Sequence, residues 1–226
     1  MTAAAPLCEV RVYSRRQRYA GTLDVLGIWR GVGALVDYKT GHPRDVAANL
    51  QTAAYLGALR DMLKCGESPS DVTFDPVPHR YALDGEPLPS VTQVLTASGA
   101  VDFSAIPQPI LLAARDRGAA VHRACHYYNE NDFDVDAFRD EFPDYWPYLS
   151  AWIDFRRDSG FELATNFEQL GQLGLIKRYA VQLRRDGTYR VEPYVGVSDY
   201  SDFLTLLRAQ EIVARHRGKS IEEWAA

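Results

Sequence analysis

Gly21-Thr22-Leu23-Asp24, Leu35-Val36-Asp37-Tyr38-Lys39-Thr40-Gly41 and Gln51-Thr52-Ala53-Ala54-Tyr55 follow one another along the chain, and their reading decides the fold. Leu35-Val36 begins an apolar strand after the Gly-rich turn Arg30-Gly31-Val32-Gly33. Residues two apart on a strand point to one face, so Asp37 and Lys39 project together. Thr22 to Trp29 reads as the partner strand of a hairpin, which carries Asp24 across to Asp37. Gly41-His42-Pro43 then ends the strand. Arg44 to Lys64 reads as a helix, with Leu50, Ala54, Leu56, Leu59, Met62 and Leu63 among its apolar positions. Gln51 and Tyr55, four residues apart, share one face of it.

This is equipment for phosphodiester chemistry. Two convergent carboxylates hold a hard divalent cation through oxygen. A lysine beside them orients or helps deprotonate a water, or offsets phosphate charge, as metal-assisted hydrolysis requires. Alone, Asp-x-Lys is an ordinary surface ion pair worth roughly 0–1 kcal/mol. Its weight here comes from its place at the end of an apolar strand, after Gly-x-x-Asp and before Gln-x-x-x-Tyr.

At these residues the chain resembles the PD-(D/E)XK nucleases of the RecB-like branch, which includes phage-type exonucleases. The resemblance implies an α/β fold with a restriction-endonuclease-like mixed β-sheet flanked by helices. It implies Mg²⁺ or Mn²⁺ held by Asp24 and Asp37, with the peptide carbonyl of Tyr38 as a further ligand. Lys39 corresponds to the catalytic lysine, and Gln51 and Tyr55 to a motif that positions substrate. Arg117-Gly118-Ala119-Ala120-Val121-His122 resembles the branch's histidine motif, which makes His122 an extra metal ligand. His126, one turn further on, is read as a bystander. The chain lacks His-Glu-x-x-His, and no third zinc ligand has recognisable spacing.

The segment order is unusual for such a protein. The expected arrangement is one domain over residues 1–226, built from a catalytic segment (1–64), a mainly helical segment with His122 (72–168), and a hairpin with a C-terminal helix (176–226). In the family the histidine-bearing segment comes first, whereas here it follows the Asp24 hairpin. Cys65–Asp71 and Gln169–Gly174 read as polar joints between rearranged blocks. A fold that keeps the family geometry brings Phe167 near Leu7–Cys8, and Lys64 near Ile176.

Elsewhere the patterns are local. Arg80 to Pro87 reads as a strand with an Asp84-Gly85 turn. Ser90 is placed to cap a helix over Val91–Thr96. Helices are expected at Pro107–Tyr128, Tyr145–Arg157 and Tyr200–Arg217. Lys177 to Tyr194 is a hairpin turning at Asp186-Gly187. Tyr127, Tyr128, Tyr145, Trp146, Tyr148 and Trp152 suit either base stacking or internal packing. Arg15, Arg16, Arg18, Lys177, Arg178, Arg184, Arg185 and Arg190 suit either phosphate contacts or a solvated face.

The net charge of −5 argues weakly against broad nucleic-acid affinity, although binding follows charge distribution as well as total charge. Three scattered cysteines fit reduced cytosolic thiols and do not supply a four-cysteine iron–sulfur cluster. With no long apolar leader and no run of transmembrane length, a cytoplasmic protein without a membrane partner is expected. The functional expectation is a Mg²⁺-dependent deoxyribonuclease that acts on DNA in repair, recombination or phage replication. Its exonucleolytic character rests on resemblance alone. The alternative is a catalytically silent nucleic-acid-binding or scaffold subunit of the same fold, which would bind in chelator and never cleave.

Overall fold

Val32–Lys39 is apolar up to its last few residues because it is covered on both faces. In the computed structural model, which describes residues 5–41, 46–102, 104 and 106–218, its interior is buried throughout. In chain order the described elements are β1 (Cys8–Ser14), β2 (Tyr19–Trp29), β3 (Val32–Lys39), α1 (Val46–Cys65), β4 (Val72–Asp75), β5 (Arg80–Leu83) and β6 (Glu86–Leu88). They continue with α2 (Val91–Ala97), α3 (Gln108–Asn129), α4 (Val135–Glu141), α5 (Trp146–Ser159), β7 (Glu162–Leu163), α6 (Phe167–Leu173), β8 (Ile176–Leu183), β9 (Tyr189–Tyr194) and α7 (Asp199–Arg217).

The protein is mixed α/β. Among the described residues, a six-stranded mixed sheet runs in the order β1-β2-β3-β8-β9, with β7 added to β2, and β4-β5-β6 form a separate small sheet. β2 and β3 pair antiparallel from Trp29↔Val32 to Val25↔Val36. β3 and β8 pair parallel, and β8 turns back antiparallel into β9. The strand break expected at Gly41-His42-Pro43 lies partly outside the described residues.

The chain divides into two compact units. The first takes in Met1–Glu9, Asp24–Arg44 and Phe103–Tyr194; the second takes in Val10–Leu23, Asp45–Asp102 and Val195–Ala226. In the first, alternate β3 residues Ala34, Val36 and Tyr38 join Val121 and Cys125 of α3 and Trp152 and Phe155 of α5 in one core. Trp152 is fully buried and Tyr148 nearly so, which settles these two aromatics as packing residues. Arg178 is likewise buried, and Arg190 pairs with Glu192, so neither belongs to a simple solvated face. Leu7 N–H donates to Ala164 O at 2.7 Å, which brings the start of β1 close to the segment leading into Phe167. Lys64 and Ile176 belong to different units.

Several expected boundaries are helical or strand ends with identifiable causes. Ser90 caps α2 through a capping box with Gln93. Gly187 sits at φ 80° in the β8–β9 turn. The expected joint Gln169–Gly174 is mostly helix α6, started by the Asn166 side chain and stopped by Gly174 in the left-handed conformation.

In the second unit, α1 carries Gln51 and Tyr55. Gln51 Nε2 donates to the Tyr55 hydroxyl at 2.8 Å, and the Tyr55 ring is buried. Gly21 is the reason β2 tolerates that ring, since a Cβ there would lie 2.4 Å from Tyr55 Cε1 and 3.4 Å from Val91 Cγ2. Tyr19, two residues earlier, donates its hydroxyl to Ala54 O at 2.8 Å. Gly21→Ala therefore forces a buried ring aside and should destabilise the protein by about 1–3 kcal/mol. In a Tyr55→Ala background the same change should cost much less. Urea denaturation of the four proteins of this cycle measures the coupling, and equal costs in both backgrounds would refute the steric account.

Candidate metal centre

The first unit gathers its polar side chains around the end of the β2–β3 ladder. Past Val25↔Val36 the Asp24 carboxylate takes a backbone partner: Oδ2 accepts the Tyr38 N–H at 2.6 Å. Oδ1 faces His122 Nδ1 at 3.4 Å, so α3 delivers the histidine to the strand acid. The Tyr38 ring meets the His122 ring edge-on, with centroids 5.4 Å apart. Asp37 is buried, and its Oδ2 lies 2.8 Å from Lys39 Nζ, as the shared strand face requires. His126 turns to Glu130 instead, at 3.6 Å.

The donor group that can share one ion is Glu9, Asp24 and His122, whose ligand atoms all lie within 4.8 Å of one another. Donors around an octahedral ion with ~2.1 Å bonds sit roughly 3–4 Å apart, so side-chain adjustments of about an ångström suffice. Two carboxylates and an imidazole are a donor set for a divalent cation, the carboxylates suiting hard ions and the imidazole transition metals. Asp37 stands beside this group, coupled to Asp24 and His122 through charge. Tyr38 contributes its N–H to Asp24, and its carbonyl remains an expected ligand. Gln51 and Tyr55 pair with each other in the other unit.

Glu9 has no motif to announce it, and sequence reading misses it because β1 goes unrecognised. Leu26 N–H donates to Leu7 O at 2.9 Å, and Arg18 N–H to Ser14 O at 2.8 Å, so β1 and β2 form a hairpin. This pairing brings the Glu9 carboxylate to the neighbourhood of Asp24. A strand assignment for Cys8–Ser14 would have found it. Glu9 also holds φ 49°, a left-handed conformation that costs an ordinary residue roughly 1–2 kcal/mol.

The electrostatics separate the acids. Burial disfavours charge on Asp24, but His122, Lys39 and the Tyr38 N–H outweigh it and lower its pKa. Burial dominates at Asp37 and, with the charge of Asp24, pushes it up to about 6 against the pull of Lys39. Glu9 is an exposed residue, but partial loss of water around its carboxyl and the charge of Asp24 raise it to about 7. Burial opposes protonation of His122, yet Asp24 prevails and raises it to about 9. The imidazole is therefore cationic at neutral pH in the metal-free protein.

No family model, no curated protein and no solved structure matches this chain.

A titration of metal-free protein tests the electrostatic arrangement. The His122 imidazole, followed by NMR, should titrate near 9 and fall to ~6.5 or below in Asp24→Asn, because burial, which disfavours its charge, remains. Its raised folded pKa stabilises the protein fully below the unfolded value, and that contribution is lost as pH rises through about 9. Asp37, also raised, holds its proton longer folded than unfolded, so its term too weakens the fold as pH climbs from its ordinary carboxylate range to about 6. A wild-type His122 midpoint at the ordinary value would refute the Asp24 pairing.

Proposed function

We propose that this chain is a metal-dependent deoxyribonuclease with a restriction-endonuclease-like fold, hydrolysing DNA phosphodiester bonds and acting from chain ends. The observation that carries the reading is the constellation of buried Asp24 and Asp37, with Lys39 Nζ at 2.8 Å from Asp37 and His122 facing Asp24. The resemblance at Gly21–Gly41, Gln51–Tyr55 and Arg117–His122 supplies the substrate class. The mixed sheet, with helices contributing to the core around β3, accommodates the fold reading.

Glu9, Asp24 and His122 would hold a Mg²⁺ or Mn²⁺ ion, with Asp37 and the Tyr38 carbonyl as neighbouring ligands. When bound, the ion supplies Lewis-acid activation of the phosphate and of the attacking water. Asp37 keeps the Lys39 ammonium in place by their ion pair. The Lys39 ammonium would donate to the attacking water, align it and offset charge on the phosphate, while the proton the water gives up passes to solvent. Gln51 and Tyr55 are assigned to the substrate side by resemblance. No helix among the described residues is long and apolar enough to cross a membrane.

Cleavage of end-labelled DNA in Mg²⁺, Mn²⁺ and chelator tests this. Lys39→Ala should lower the rate about 10²–10³-fold, the usual range for removing one positioned donor, while retaining most metal affinity. Asp24→Ala should lose metal binding and cleavage together. Metal-dependent cleavage that survives in the Lys39→Ala/Asp37→Ala double variant would place the chemistry elsewhere. Wild-type protein that binds DNA but cleaves none of its forms in either metal would favour a binding module.

A further inference from the structure

Asn129 lies on α3 seven residues beyond His122, hence on much the same helix face, and is 2% exposed. Its carboxamide is engaged on both sides. Oδ1 accepts from Trp152 Nε1 at 2.9 Å and from the Arg156 guanidinium at 3.1 Å. Both of those groups can only donate, which fixes the amide oxygen towards them. Nδ2 must then face the other way, where it donates to the Tyr38 hydroxyl at 3.0 Å and to Cys8 Sγ at 3.5 Å.

Tyr38 is thereby fastened at both ends. Its hydroxyl is held by Asn129, its ring is wedged edge-on against Trp152 at 4.6 Å and against His122 at 5.4 Å, and its backbone N–H is given to Asp24. One residue thus touches the strand acid and the helix histidine, although the two come from distant parts of the chain. α5 joins the arrangement through Trp152 and Arg156. Arg156 Nε is left without a partner among the described residues, but the Asn129 carboxamide is engaged at both ends, and such a buried network favours one geometry because its alternatives leave more polar groups unpaired.

We propose that Asn129, acting through Tyr38, is a positioning residue that holds Asp24 and His122 at the separation a shared cation requires. The metal part of this rests on the reading of the centre given above; the brace itself rests on the hydrogen bonds alone. Partners behind a metal ligand commonly matter to affinity as well as to packing.

Tyr38→Phe isolates the link, because it removes the hydroxyl and keeps both the ring and the backbone N–H. Asn129→Asp is the conservative control. It keeps an oxygen for Trp152 and Arg156, and its second oxygen can accept the Tyr38 O–H, restoring the link with reversed polarity. In metal-free protein the Tyr38 amide should exchange with solvent about 10-fold faster in Tyr38→Phe than in wild type, with the neighbouring Val181 amide unchanged as the reference for global stability. Mn²⁺ affinity by calorimetry should fall about 10-fold in Tyr38→Phe and stay near wild type in Asn129→Asp. Wild-type exchange at Tyr38 in Tyr38→Phe overturns the brace. Wild-type Mn²⁺ affinity in that variant overturns its role in positioning ligands. A wild-type protein that takes up no Mn²⁺ overturns the metal reading and with it the ligand-positioning role, while the exchange comparison still decides whether Asn129 braces Asp24.

Discussion

A carboxylate buried at the end of a strand pair, accepting a backbone N–H at 2.6 Å, is the constraint around which the first unit is organised. Asp24 cannot be removed from water as an anion without compensation, since the desolvation penalty of a buried ion is several kcal/mol. Tyr38 N–H, His122 and the charge of Lys39 supply that compensation, and each fixes an element: β3, α3 and the end of β3 respectively. At Asp37, also buried, burial and the repulsion of Asp24 outweigh the pull of Lys39 and His122, and its pKa moves the opposite way. Adjacent acids pushed apart in this manner are a recurrent sign of divided chemical labour. Here one acid is held ionised beside His122 and the other keeps its proton to a higher pH beside Lys39.

Much of this was legible in the sequence, and for physical reasons. The β2–β3 hairpin announces itself by apolar runs around a glycine turn. α2 is announced by the Ser90 capping box, and the β8–β9 hairpin by Asp186-Gly187. Asp37 and Lys39 follow from strand periodicity alone. His122 was legible only through the Arg-Gly-x-x-Val-His spacing, because nothing local says that α3 will meet β2. Glu9 was not legible. It is a lone acid in a strand whose partner strand was recognised while it was not, and its positive φ has no signature in glutamate. α6 was read as a joint because Gly171 and Gly174 flank its last turn, yet only Gly174 takes the left-handed conformation that ends a helix. Asn129 looks like any polar residue at the end of a helix. Its significance comes from Tyr38, Trp152 and Arg156, contributed by two other elements.

The second unit shows why a motif can carry two meanings at once. Gly21 of the Gly-x-x-Asp stretch and Tyr55 of the Gln-x-x-x-Tyr stretch are bound to each other by sterics: the glycine has no Cβ because the tyrosine ring occupies its place. Gln51 then serves the Tyr55 hydroxyl, which a buried ring must satisfy. Gly21, Gln51 and Tyr55 are thus explained by packing within the unit, independently of any substrate. That weakens their use as functional markers and leaves the buried acids, the lysine and the histidine as the residues whose chemistry packing does not explain. A core of this kind gains nothing by burying Asp24 and Asp37, where apolar residues would cost less. Their presence at the end of an apolar ladder is therefore the firmest physical ground for placing a chemical function in this chain.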